Sequence, residues 1–102
     1  MIERIEFLIS RGTVDIYKGL IEPKNNLCYI NQKKYEIDDK TIKKIINVIV
    51  TWKYEYGSSN ILDSEEFTII VYSNTKTTYH GKGIFPKNYN ELLNIIGDIK
   101  HE

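Results

Sequence analysis

His80 has the most chemistry to offer of any residue in this sequence. Glu65 and Glu66 come before it, on the preceding strand or loop. A histidine titrates near neutrality, and a carboxylate that orients it lets it work as a general acid or base. Some small ribonucleases place a histidine and a glutamate on a sheet for this purpose. The set is incomplete here, because no arginine or second histidine stands at a spacing suited to cleaving a phosphate. We therefore read His80 as a partly exposed strand residue between Tyr79 and Gly81, and we expect no catalytic residue. His101 falls in the C-terminal tail.

Three other groups invite a chemical reading and lose it on inspection. Gly81-Lys82-Gly83 has glycines beside a cation, but it lacks the longer spacing of either phosphate-binding loop. Its glycines are expected to bend the chain ahead of Pro86. Cys28 is the sole cysteine, which rules out an intrachain disulfide and a cysteine-rich zinc site. No base is indicated beside it, so it reads as a small hydrophobe. Lys40, Lys43 and Lys44 make a cationic patch, but Asp38 and Asp39 adjoin it and a solvated helix face accounts for it. We expect no cofactor and no metal ligand.

Two features point to a partner. The run from Glu55 to Glu66 carries Glu55, Asp63, Glu65 and Glu66 with no basic residue, and it follows Trp52, Tyr54 and Tyr56. Carboxylates steer a basic surface into contact and tyrosines supply contact area. Tyr54, Glu55, Asp63, Glu65 and Glu66 are therefore the expected partner-binding residues, with the acidic run as a loop that has no core role. The second feature is the sheet face away from the helices, which strand parity assigns Tyr17, Ile70, Tyr72 and His80. An open face with aromatics suits a partner or a second copy.

The elements that must position these groups are mostly readable. Ile5, Phe7 and Ile9 alternate with polar residues, so residues 2–10 read as a strand. Val14, Ile16 and Leu20 give a second strand. Glu22-Pro23-Lys24-Asn25-Asn26 is turn chemistry. Leu27 to Ile30 and Lys34 to Ile37 form a hairpin about Asn31-Gln32-Lys33. Asp38 is a good N-cap, with Ile37 and Ile42 at the staple positions. Ile42, Ile45, Ile46, Ile49 and Trp52 form one helical stripe, and that helix is expected to reach Tyr54–Tyr56 and stop at Gly57. Ser58 to Glu66 reads as a loop, and Phe67 to Tyr72 and Thr77 to His80 as strands. Asn88 and Glu91 read as a capping pair for a last helix with Leu92, Leu93, Ile96 and Ile99 on its apolar face. The expected fold is α+β, an antiparallel sheet with two helices on one face, in the order ββββ-α-ββ-α.

Bulk properties narrow the classes. The 102 residues suit a single domain, 1-102, and 41% hydrophobic with 27% charged is ordinary globular usage. Fourteen basic residues balance 14 acidic ones, which disfavours nucleic acid as the direct ligand and a polybasic membrane tether. No signal peptide or run of spanning length is visible, so the expected location is cytoplasmic, with no membrane partner. The sequence has no alanine and is rich in Ile, Lys, Asn and Tyr. GC-rich alanine codons and AT-rich codons for the other four point to an AT-rich bacterial genome, a phage or a mobile element.

The pattern Trp52-x-x-Glu55-Tyr56, Asp63-x-Glu65-x-Phe67-x-Ile69 and Tyr79-x-Gly81-Lys82-Gly83-x-x-Pro86-x-Asn88-Tyr89 covers about the C-terminal half. It resembles short, uncharacterised proteins of low-GC Gram-positive bacteria and their mobile elements. The resemblance implies an immunity protein or other small inhibitor and transfers no functional residue. Together these readings lead to a non-enzymatic inhibitor of another macromolecule, such as a toxin immunity protein or an anti-CRISPR-like protein. Its partner would be a toxin or nuclease effector with a basic surface. A nucleic-acid-binding module using the lysine face is the alternative, and a small hydrolase or nuclease using His80 comes third.

Overall fold

The computed structural model describes residues 1–58 and 64–101. Strand β1 (Arg4–Arg11) turns through Gly12, whose φ of 61° suits glycine, into β2 (Val14–Glu22). Ile5, Phe7 and Ile9 alternate into the core as their period-2 pattern predicts. A one-turn 3-10 helix over Pro23–Asn25 ends on Asn26 in the left-handed region, then β3 (Leu27–Ile30) and β4 (Lys33–Glu36) form the expected hairpin. Asn31 and Gln32, both at positive φ, make the tight turn between them.

Helix α1 spans Asp39–Ile49, and Asp38 caps it by accepting from the Thr41 amide at 2.8 Å. Ile37 and Ile42 are both buried, as the staple requires. The helix ends before the predicted Tyr54–Tyr56. Thr51 and Trp52, a β-branched and an aromatic residue, are poorer helix formers, and the Thr51 hydroxyl donates to the Val48 carbonyl at 2.8 Å. Trp52 stays buried although it lies beyond the helix. The chain then enters a strand the sequence did not reveal, β5 (Glu55–Ser58).

Strands β6 (Glu65–Tyr72) and β7 (Lys76–Lys82) form an antiparallel pair, and α2 (Tyr89–Lys100) closes the fold. Leu92, Ile96 and Ile99 of α2 are buried as predicted, with Tyr89 besides. The predicted Asn88–Glu91 capping pair is absent: Asn88 makes no side-chain cap bond because its amide serves Trp52 and α1 instead.

The seven strands form one sheet in the order β4-β3-β2-β1-β6-β7-β5, with β1 at its centre. The fold is α+β as expected, but the sheet is mixed, since β5 runs parallel to β7. The order is therefore ββββ-α-βββ-α. Core residues from both helices and from one sheet face form a single cluster, and α1 touches α2. Among the described residues the opposite sheet face carries no helix. Among the described residues no helix is long and apolar enough to cross a membrane.

Candidate functional site

The site lies at the β5–β7–β6 side of the sheet. His80 sits on β7, beside Glu55 on β5 and near the start of β6. Its Nδ1 lies 3.0 Å from Glu55 Oε1, and its Nε2 lies 2.7 Å from Glu66 Oε2. A neutral imidazole has a single N–H and can donate to only one of these carboxylates. The imidazolium donates to both. The Glu66 hydrogen bond, helped by Glu55 and opposed by burial, holds His80 above its ordinary value. Its own hydrogen bond to His80 holds Glu55 below the usual carboxylate range.

Tyr54 precedes this cluster. Its carbonyl accepts from the His80 amide at 2.9 Å, and its ring leans on Tyr79 at a centroid distance of 5.7 Å. The side chain is nevertheless 68% exposed. An aromatic ring is thus braced from behind and presented to solvent beside Glu55, which is also exposed.

Glu65 behaves differently from its neighbours. Its Oε2 accepts from the Tyr89 hydroxyl at 2.5 Å, and its Oε1 lies 3.4 Å from Arg11 Nη2. The carboxylate is only 16% exposed. Burial first, and then this hydrogen bond, push the Tyr89 hydroxyl up. The premise that the acidic run is a loop without a core role therefore fails at Glu65 and Glu66, which begin β6 because they pair with β1 and β7. Of the expected partner-binding residues, Tyr54, Glu55 and Glu66 come together, and Glu65 turns toward α2. Asp63 lies outside the described residues.

Arg11 and Tyr89 were not anticipated. Arg11 and Glu65 are paired in the β1–β6 register, so opposite charges at two matched strand ends were the available signal. Nothing local marks Tyr89.

The helix-free face carries Ile70, Tyr72 and His80, as parity predicts. Tyr17 is a correction, because it pairs with the buried Ile9 and lies on the helix side. Lys100 of α2 stands over its ring. An irregularity between Ile9 and Ser10 shifts the register there and upsets simple counting along β2. Leu8, Leu20, Thr68 and Ile70 line a shallow depression of about 420 Å³ at the middle of the open face.

Cys28 is fully buried, and burial pushes its thiol up to about 12. Lys40, Lys43 and Lys44 are exposed on α1. Gly81 and Lys82 belong to β7, and Gly83, at φ 72°, donates its amide to the Glu65 carbonyl at 2.9 Å. Among the described residues no group of three or more His, Cys, Asp or Glu side chains is placed to hold a metal ion. Comparison with protein-family models, with curated proteins and with solved structures finds no match.

Proposed function

We propose that this protein is a non-enzymatic inhibitor that binds another protein through the edge formed by Tyr54, Glu55 and Glu66, with Asp63 and Glu65 near it in the chain. The partner class is a toxin or nuclease effector with a basic surface. That makes the chain an immunity protein or an anti-defence protein of the anti-CRISPR kind. The observation that carries the reading is Tyr54. A tyrosine held against Tyr79 and still 68% exposed costs little entropy to bury against a partner. Carboxylates beside it add the charge that speeds encounter with a basic protein.

The state of His80 supports the same reading. Both ring nitrogens face carboxylates, so neither is free to take a proton from a substrate. Such an imidazolium is a structural cation.

Affinity capture from lysate of an AT-rich bacterium, with wild type beside Tyr54→Ala and Glu55→Lys, tests the proposal. The expected result is stoichiometric capture of one basic protein, weakened by salt and by both variants. Retention on DNA or RNA through the α1 lysines would overturn it. So would a hydrolytic activity that His80→Ala removes from a folded protein.

A further inference from the structure

We propose that the edge strand β4 pairs, antiparallel and edge to edge, with β4 of a second copy in a two-fold dimer. This goes beyond the Tyr54 edge and does not rest on it, since β4 and β5 lie at opposite ends of the sheet. Asn31 and Gln32, both at positive φ, make a tight turn that leaves Ile30 and Lys33 as a hydrogen-bonded pair. Bonding then alternates along β4. Tyr35 and Cys28 form the next such pair, and the Ile37 amide donates to the Asn26 carbonyl at 2.9 Å. The N–H and C=O groups of Lys34 and Glu36 therefore point away from β3. Among the described residues no other element takes them. The edge at β5 is blunted by contrast. There the Gly57 amide donates to the Glu55 carboxylate at 3.2 Å, and Gly57, at φ 90°, falls where the pairing to β7 shifts register.

The register identifies the occupant. When the two-fold axis passes through Tyr35, Lys34 of each copy lies opposite Glu36 of the other. Both residues point their backbone groups outward, so each such pair exchanges hydrogen bonds and also joins opposite charges. The charges then alternate in sign around the axis. Tyr29 and Leu27 of β3, both uncharged, stand directly behind them on the same face. Slipping to the next bonded register sets Lys34 opposite Lys34, or Glu36 opposite Glu36, so one register is favoured. Tyr35 shares the helix-bearing face with the buried Cys28 and meets Tyr35 of the second copy across the axis. Lys33, on that same face, comes level with the uncharged Ile37 of the second copy. Lys34 and Glu36 are exposed and Tyr35 is half-buried in the single chain, so all are available. A strand that complements itself in hydrogen bonding and in charge is what an isologous contact requires.

A strand of 4 residues buries little surface, so the dimer is a weak one, half-formed near about 100 μM. The pairing joins the sheets of both copies into one continuous sheet with β5 at each outer end. Tyr54 and Glu55 stay uncovered, so each dimer presents two acidic edges.

Sedimentation velocity on the full chain, from about 10 μM to about 1 mM, tests the proposal. Wild type should pass from one-chain toward two-chain mass over this range. Lys34→Glu and Glu36→Lys should each weaken self-association by at least about 10-fold, because each turns opposite-charge pairs into like ones. Mixed together, the two variants should associate with each other about as well as wild type does with itself. Lys34→Pro removes an outward N–H that the single chain does not use. It should keep the wild-type melt at the lowest concentration and lose the dimer. Should Lys34→Pro fail to fold, the mixing experiment decides alone. One-chain mass at every concentration would overturn the proposal. So would a dimer that survives Lys34→Pro, or one that ignores both charge changes and gains nothing from mixing.

Discussion

The Trp52 indole Nε1 donates to Asn88 Oδ1 at 2.6 Å, joining the end of α1 to the start of α2. The same Asn88 amide donates to Thr51 Oγ1 at 3.3 Å and reaches the Val48 carbonyl at 3.5 Å. One asparagine side chain thus gives an otherwise buried indole its polar partner and ties two helices together. Trp52 also packs edge-on to Phe67, with centroids 5.4 Å apart. Trp52→Ala should cost about 3–5 kcal/mol, and Asn88→Ala about 1–3 kcal/mol because it leaves the indole N–H unpaired. Asn88→Asp keeps the acceptor and should lose less. Denaturant unfolding of the three variants measures the order. An Asn88→Ala midpoint equal to wild type would mean the indole finds another acceptor.

Glu65 and Tyr89 form the second tie between sheet and helix. The tyrosine is buried, so its hydroxyl needs this acceptor. Tyr89→Phe removes a hydrogen bond to a charged group and should cost about 1.5–3 kcal/mol. Glu65→Lys should destabilise as well, since it also opposes Arg11. Glu55→Lys, at an exposed edge position, should change the melting temperature least. Thermal melts of these variants separate the structural carboxylate from the exposed one. Equal melting of Glu65→Lys and Glu55→Lys would put Glu65 back among the solvated charges.

Where sequence reading succeeded, the physics was local. The α1 start needs only residues 37–42, close together in the chain, and the predicted Asp38 cap and Ile37–Ile42 staple both form, with the Thr41 amide as the donor to the cap. The β3–β4 hairpin needs only a tight turn between two short strands. The failures are nonlocal. Strand β5 exists because β7 accepts a parallel neighbour, which leaves no mark in Glu55–Ser58 itself. The stripe ending in Trp52 matched a helix because a buried residue just beyond the last turn can fall at the same spacing. Glu65 meets Arg11 and Tyr89 from 54 and 24 residues away. Gly19 went unremarked, although a Cβ there would lie 1.7 Å from the Tyr29 carbonyl oxygen. Only the approach of β3 shows why the position must be glycine.

Cys28 should be unreactive in the native state. Its thiol is fully buried and pushed up to about 12, so almost no thiolate exists near neutral pH. A disulfide reagent at pH about 8 should label it only as fast as the core opens, and immediately in denaturant. Labelling of native protein as fast as denatured protein would show that the β2–β3 core is open in solution.

The His80 cluster should give stability an optimum in mildly acidic solution. His80 is raised above its ordinary 6.5, chiefly by Glu66. Its contribution is complete below 6.5 and fades as pH rises through the folded value. Glu55 is lowered from its ordinary 4.5, chiefly by the His80 hydrogen bond. Its contribution is complete above 4.5 and fades as pH falls through the depressed value. Between the ordinary values of 4.5 and 6.5 both contributions are intact. Among the described residues the charged groups that set the ring's titration are Glu66 on β6 and Glu55 on β5, with Lys82 of β7 paired in register to Glu66. Glu55 is largely exposed and Glu66 partly so, so salt should shrink the optimum. Glu66→Gln should lower the His80 titration midpoint more than Glu55→Gln, because Glu66 makes the shorter contact and the larger contribution. NMR titration of the His80 ring proton reads the midpoints directly, and melts of His80→Ala across the same pH range should be flatter than wild type. A wild-type midpoint at or below 6.5 would show that the two carboxylates do not hold the ring in solution, and β5 would then rest on its backbone pairing to β7 alone.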